Sequence, residues 1–290
     1  MASNDNKTAD NDHKTANILP TQRTLDDYLA SVKTSCNEIT IDASWGQGRT
    51  IFGGMSAALL LKKINLDAPD TGLLRSINIA FCGPLLSDQP GALSSREIRS
   101  GKSTAHWQAE LVQNEKVATM ITACFGHQRD SDIEVKHPAM EQRLPEAGKP
   151  LPYIKGLTPE FVQHIDFIYH DGQLPFSNSK VNHIHGLMRF RDQSGPLQDE
   201  HLIALIDSWP PTVLQKMKRM APCASVTWNL EIVTPLSQLP RPIAADEYLN
   251  YEADIRQAHD GYAHTEARIA TQDGVLLALS RQLVAVYDKK

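Results

Sequence analysis

The sequence predicts an α+β protein built as two tandem units, each an antiparallel sheet wrapped on one central helix. Three observations carry that prediction. Residues 103–125, STAHWQAELVQNEKVATMITACF, and residues 262–283, YAHTEARIATQDGVLLALSRQL, share Ala-His, an alternating apolar run, a short polar turn and a second apolar run; each reads as a β-hairpin. The elements before each hairpin repeat the order strand, helix, strands. The 290 residues suffice for two units of ordinary domain size. With Ala105-His106 set on Ala263-His264, Val117 meets Val275, Thr122 meets Ser280 and Cys124 meets Gln282 without a gap. The last exchange puts an amide where the first copy has a small hydrophobe, which suggests that the second copy kept a polar task.

In chain order, residues 1–20 are polar and are expected to be a disordered tail. Leu25, Tyr28, Leu29 and Val32 have the spacing of a short amphipathic helix within 21–35. Residues 38–45 alternate as a strand. Gly46, Gly48, Gly53 and Gly54 then lead into 55–63, apolar on nearly every side and therefore expected to be a buried helix. Residues 73–81 and 92–99 alternate as strands, the former ending at Gly83-Pro84, and the hairpin closes the first unit at 126. Charges and Pro138, Pro145, Pro150, Pro152 and Pro159 mark 127–178 as a linker. The second unit, 179–290, has a strand at 181–191, a helix over 201–216 broken at Pro210-Pro211, strands at 224–233 and 248–256, and the hairpin over 262–287.

Composition excludes several classes. The net charge of −5 offers no electrostatic case for a nucleic-acid partner, although Lys216, Lys218 and Arg219 are candidate anion contacts. No stretch approaches the ~20 apolar residues of a membrane span, and the N-terminus has no basic-then-apolar leader. Cys36, Cys82, Cys124 and Cys223 are scattered without a CxxC pair, as in a reduced cytoplasmic protein. His183 and His185 share one strand face near His164 and His170, but no carboxylate or cysteine stands at ligand spacing, so no metal is expected.

A family resemblance rests on five stretches in order: GRTIFGGMSAAL at 48–59, SINIAFCGPL at 76–85, residues 96–126, ALIDSWPP at 204–211 and TQDGVLLALSRQ at 271–282. Together they resemble the double hot-dog acyl-CoA thioesterases of the type II family. The resemblance implies two hot-dog units and hydrolysis of acyl-CoA to a free acid and CoA, with no cofactor. It also implies a water held by an Asp, Thr or Ser, Gln triad. Asp207 matches the aspartate and Gln282 the glutamine, while Ser225 stands where threonine is usual. Thr227 replaces an aspartate common two residues later, so either hydroxyl completes the site. Asn78 departs from a common histidine. Gly53, Gly54, Met55, Asn78 and Trp209 are the expected substrate contacts, and assembly into a homodimer or larger oligomer is expected.

The residue chemistry suits that reaction. Asp207 follows five apolar or small residues, so burial should raise its pKa toward that of a useful base. Gln282 supplies one acceptor and two donors. Backbone N–H groups at Gly54, or at the start of the helix carrying Asp207, are candidates to polarise the carbonyl. A serine nucleophile is not expected, because there is no Gly-x-Ser-x-Gly elbow. Competing readings are Asp207 as a turn residue before Pro210, and Gly53-Gly54 as packing glycines. At the level of function, the rivals are a non-catalytic acyl-CoA binder, motivated by Asn78 and Thr227, and more weakly an enoyl-CoA hydratase.

Overall fold

A computed structural model describes residues 22–34, 38–68 and 70–288; the expected tail at 1–20 and Cys36 lie outside them. The elements are α1 (Leu25–Ser31), β1 (Glu38–Thr40), β2 (Gly46–Gln47), β3 (Thr50–Ile51), α2 (Gly53–Asp67), β4 (Leu73–Phe81), β5 (Pro90–Ser100), β6 (Thr104–Gln113) and β7 (Lys116–Gly126). The second half has β8 (Lys149–Pro150), β9 (Ile165–Asp171), β10 (His183–Phe190), α3 (Asp199–Asp207), β11 (Cys223–Ile232), β12 (Leu249–His259), β13 (Tyr262–Thr271) and β14 (Leu276–Val286). Short 3-10 turns join them, including 43–45 and 212–216.

Twelve strands form one sheet in the order β1-β5-β6-β7-β4-β11-β14-β13-β12-β10-β9-β8, so the two units share a seam at β4 and β11. At its middle Asn78 pairs with Asn229, and the Asn229 amide donates to Asn78 Oδ1 at 2.8 Å. Strand order is mirrored on either side: β7 with β6 flanks β4 as β14 with β13 flanks β11. This is the tandem hot-dog architecture that the sequence predicts.

Helix α2 is buried almost all round because the sheet covers one side and α3 the other; Met55, Leu59, Leu60, Leu61 and Ile64 have no exposed surface. Strand residues alternate between this core and the outer face, as in β11, where Trp228, Leu230 and Ile232 are buried while Thr227 and Glu231 are exposed. Helix α1 begins with a capping box between Thr24 and Asp27 and packs Leu25, Tyr28 and Leu29 into the core.

Three expectations change in detail. The stretch expected as linker contains β9, which pairs with β10 along the far side of the second unit. Its earlier part is strapped to the same unit by Met140, which packs on Ala270 and Leu276, and by Arg143, which binds Glu252 and Asn250. The helix expected over 201–216 is α3 followed by a 3-10 turn, because Pro210-Pro211 cannot continue the ladder of hydrogen bonds. The gap-free match of the two hairpins also slips. Gln282 pairs with Thr265 on β13, but Trp107, the counterpart of Thr265, pairs with Ala123 rather than with Cys124. The first hairpin turns tightly through Asn114 and Glu115, both with positive φ, whereas the second has a longer turn between β13 and β14. The core-facing counterpart of Gln282 is therefore Ala123, and Cys124 belongs to the other face.

Candidate active site

Helices α2 and α3 pack antiparallel, so the last residue of α3, Asp207, meets the first turn of α2. Two glycines allow that approach. A Cβ on Gly53 would lie 2.8 Å from Asp207 Oδ2 and 2.8 Å from the Phe81 ring. One on Gly54 would lie 2.8 Å from the Ala204 carbonyl oxygen and closer still to Phe52. Packing and the site thus require the same glycines.

From β14 the Gln282 amide donates to Asp207 Oδ1 at 2.8 Å and to Ser225 Oγ at 2.9 Å. The Gly54 backbone N–H also donates to Asp207. Burial pushes the Asp207 carboxyl up to about 7, against the lowering effect of the Gln282 and Gly54 hydrogen bonds. The residue as a whole is half-buried. A pKa near the operating pH is the value that suits a group exchanging protons in catalysis.

Ser225 reaches the site through an irregularity in its strand. Between Ser225 and Thr227 the pairing with β14 shifts by one residue, a β-bulge at Val226. Trp228 faces the core, and regular alternation would send Val226 inward; the extra residue turns Ser225 inward instead. Thr227 stays exposed on the outer face, where it lines a trough of about 570 Å³ with Asn78, His264 and Arg281. The expectation that Thr227 could complete the triad is therefore corrected: its side chain lies across the sheet from Asp207.

Asn78 is corrected in the same way. It is exposed on the outer face, bound to Asn229 at the seam, and is not among the groups gathered at Asp207. Met55 is buried wholly in the core. The Gly54 N–H, expected as a carbonyl donor, is engaged by Asp207, and the start of α3 lies at the end of that helix remote from Asp207.

Trp209, two residues beyond Asp207, is buried and stacks on Tyr251 at 5.1 Å, with Phe167 and Tyr169 meeting it edge-on at 5.2 and 5.0 Å. Gly186 leaves room for the indole, since a Cβ there would approach it to 2.5 Å. The Tyr251 hydroxyl is shifted upward first by burial and then by the charge of Asp207. Sequence reasoning did not single out Tyr251 or Tyr169. Their strands carry no motif, and only the pairing of β9, β10 and β12 brings them under Trp209.

His183 and His185 gain the carboxylate that sequence spacing lacked. Asp171, at the end of β9, pairs directly with His185. These three offer ligand atoms within 4.8 Å of one another, outside the Asp207 site.

Comparison with known proteins agrees with this architecture. An acyl-CoA thioesterase N-terminal domain model matches residues 41–126, and an acyl-CoA thioesterase C-terminal domain model matches residues 145–286. The chain is similar to a hot-dog-fold protein of Alicyclobacillus acidocaldarius at 23% identity and TM-score 0.80, covering 93% of this chain and 100% of that one. It is also similar to an acyl-CoA thioesterase II of Mycobacterium marinum at 18% identity and TM-score 0.70, with 92% and 99% covered. A tesB protein of Mycobacterium avium subspecies paratuberculosis gives 14% identity and TM-score 0.72 over 91% and 100%. No curated protein sequence matches. The two domain models together span most of the chain in the order the fold displays, and the chain belongs to the acyl-CoA thioesterase family, whose members are thioester hydrolases.

Proposed function

We propose that this chain hydrolyses acyl-CoA to a free acid and CoA, using one water held at Asp207, Gln282 and Ser225. The observation that carries the reading is the pair of hydrogen bonds from one Gln282 nitrogen to Asp207 Oδ1 and Ser225 Oγ, beside a carboxyl raised to about 7. With both amide hydrogens committed, Gln282 Oε1 is left as an acceptor, and the Ser225 hydroxyl hydrogen is left to donate. Asp207 takes a proton from the water as the oxygen attacks the thioester carbon. Collapse of the tetrahedral intermediate breaks the C–S bond, and the proton on Asp207 returns to the departing thiolate. Because the first N–H groups of a helix lie outside its ladder, the start of α2 at Gly53 is the natural source of a donor to the oxyanion.

The non-catalytic binding reading loses its motive, because Asn78 and Thr227 both lie on the outer face. No helix among the described residues is long and apolar enough to cross a membrane. The test is thiol release from short, medium, long and aromatic acyl-CoAs by the wild type and by Asp207→Asn. Release that collapses in the variant is expected. Undiminished release would overturn the assignment of Asp207, and binding of acyl-CoA without release by the wild type would overturn the activity.

A further inference from the structure

On the outer face of the second unit, β9 and β10 bring together three side chains that the proposed hydrolysis does not use. Asp171 closes β9; His183 and His185 lie one alternation apart on β10 and so share a face. A bulge near His170 sets Asp171 directly across from His185. The imidazoles stack with centroids 4.6 Å apart. All three residues have accessible surface, so an ion could reach them. On the neighbouring strand, Glu252 pairs with His185 and Asp254 with His183, which adds two carboxylates to the same face. Arg143 places a positive charge nearby, but Glu252 holds it at 2.7 Å.

His183 Nε2 is buried and lies 2.8 Å from Asp171 Oδ2, as an ion pair. A His185 ring nitrogen lies within 4.8 Å of both atoms, so two imidazoles and a carboxylate converge on one small volume, as the ligands of a single metal ion do.

We propose that Asp171, His183 and His185 form a binding site for a divalent transition-metal ion of the zinc class. Two imidazoles and one carboxylate suit such an ion, whereas magnesium and calcium favour sites made of oxygen alone. The ion ties together the ends of the loop at 172–182. Those ends already approach closely: a Cβ on Gly172 would lie 2.6 Å from the His183 carbonyl oxygen. The loop in turn rests on the 3-10 turn after α3, with the N–H of Phe176 donating to Leu214 O and that of Ser179 to Gln215 O, each at 2.8 Å. A bound ion therefore staples this loop over the segment that follows Asp207, stabilising the fold without touching the reacting atoms.

The test is calorimetric titration of the chelator-treated full chain with Zn²⁺, and with Mg²⁺ for comparison. One zinc per chain at micromolar affinity is expected, with a rise in melting temperature and no response to Mg²⁺. Each of His183→Ala and His185→Ala should weaken zinc binding by about tenfold or more, whereas His259→Ala, at the far end of β12, should leave it intact. Asp171→Asn preserves shape and keeps the test usable if a histidine variant fails to fold; it too should weaken binding. Absence of zinc binding by the wild type, or equal affinity in wild type and Asp171→Asn, would overturn the proposal.

Discussion

Asp207 occupies space that only a glycine at position 53 leaves open: a Cβ there would stand 2.8 Å from its Oδ2. The substitution Gly53→Ala must therefore displace the carboxylate, the Phe81 ring or the end of α2. Turnover is expected to fall by about tenfold to a hundredfold, since misplacing a catalytic group by about 1 Å costs up to about a hundredfold. Steady-state thiol release, with a thermal melt to show that the fold survives, checks this.

The ionisation of Asp207 should set the pH dependence. Its pKa rises from 3.8 to about 7 on folding, chiefly through burial. If Asp207 is the base, as proposed, it is protonated below that value, so kcat/KM should climb as pH passes through about 7 and then level off. The linkage sign follows: the native state holds the proton more tightly than the unfolded chain, so this group's stabilising contribution is fully present below 3.8 and is lost as pH rises to about 7. Asp207→Asn abolishes the buried charge. It should cut turnover by about a hundredfold or more and remove the loss of stability that this group causes in the wild type between pH 5 and pH 8. Denaturant melts at pH 5 and pH 8 read the second effect, and a variant that keeps the wild-type pH dependence would contradict it.

The bulge at Val226 predicts unequal roles for two neighbouring hydroxyls. Ser225→Ala removes the second acceptor of the Gln282 amide and should lower kcat by about tenfold to a hundredfold. Thr227→Ala acts on the outer face and should leave kcat within about twofold, as exposed substitutions generally do. Equal losses in the two variants would place the bulge elsewhere.

A fourth expectation concerns the strap that Arg143 forms on the second unit. Arg143 and Glu252 have side chains only 7% exposed and meet at 2.7 Å; Arg143 also donates to Asn250 at 2.7 Å. Removing one partner of a buried pair leaves the other uncompensated, so Arg143→Ala should destabilise the chain by about 3 kcal/mol. Arg268, which holds the other Glu252 oxygen at 2.6 Å, limits the loss. Urea unfolding of the single and double variants at 143 and 252 would apportion it.

Much of this molecule is decided by local pattern. Two-residue alternation marks β4, β6, β7, β13 and β14, and the apolar run after Gly53-Gly54 marks α2, because burial on one face or all round leaves its period in the residues themselves. Asp207 is conspicuous as a carboxylate at the end of an apolar helix, and Gln282 as an amide on an apolar strand. The face on which each strand residue lies was decided only by the tertiary structure. One extra residue at Val226 turns Ser225 to the core and leaves Thr227 outside. One step of register pairs Trp107 with Ala123 rather than Cys124, and the seam places Asn78 outside against Asn229. The convergence of Asp171 with His183 and His185 likewise depends on the pairing of β9 with β10 across an intervening loop. Alternation specifies a period but not a phase across a bulge or turn, and a phase error of one residue exchanges the two faces of a sheet.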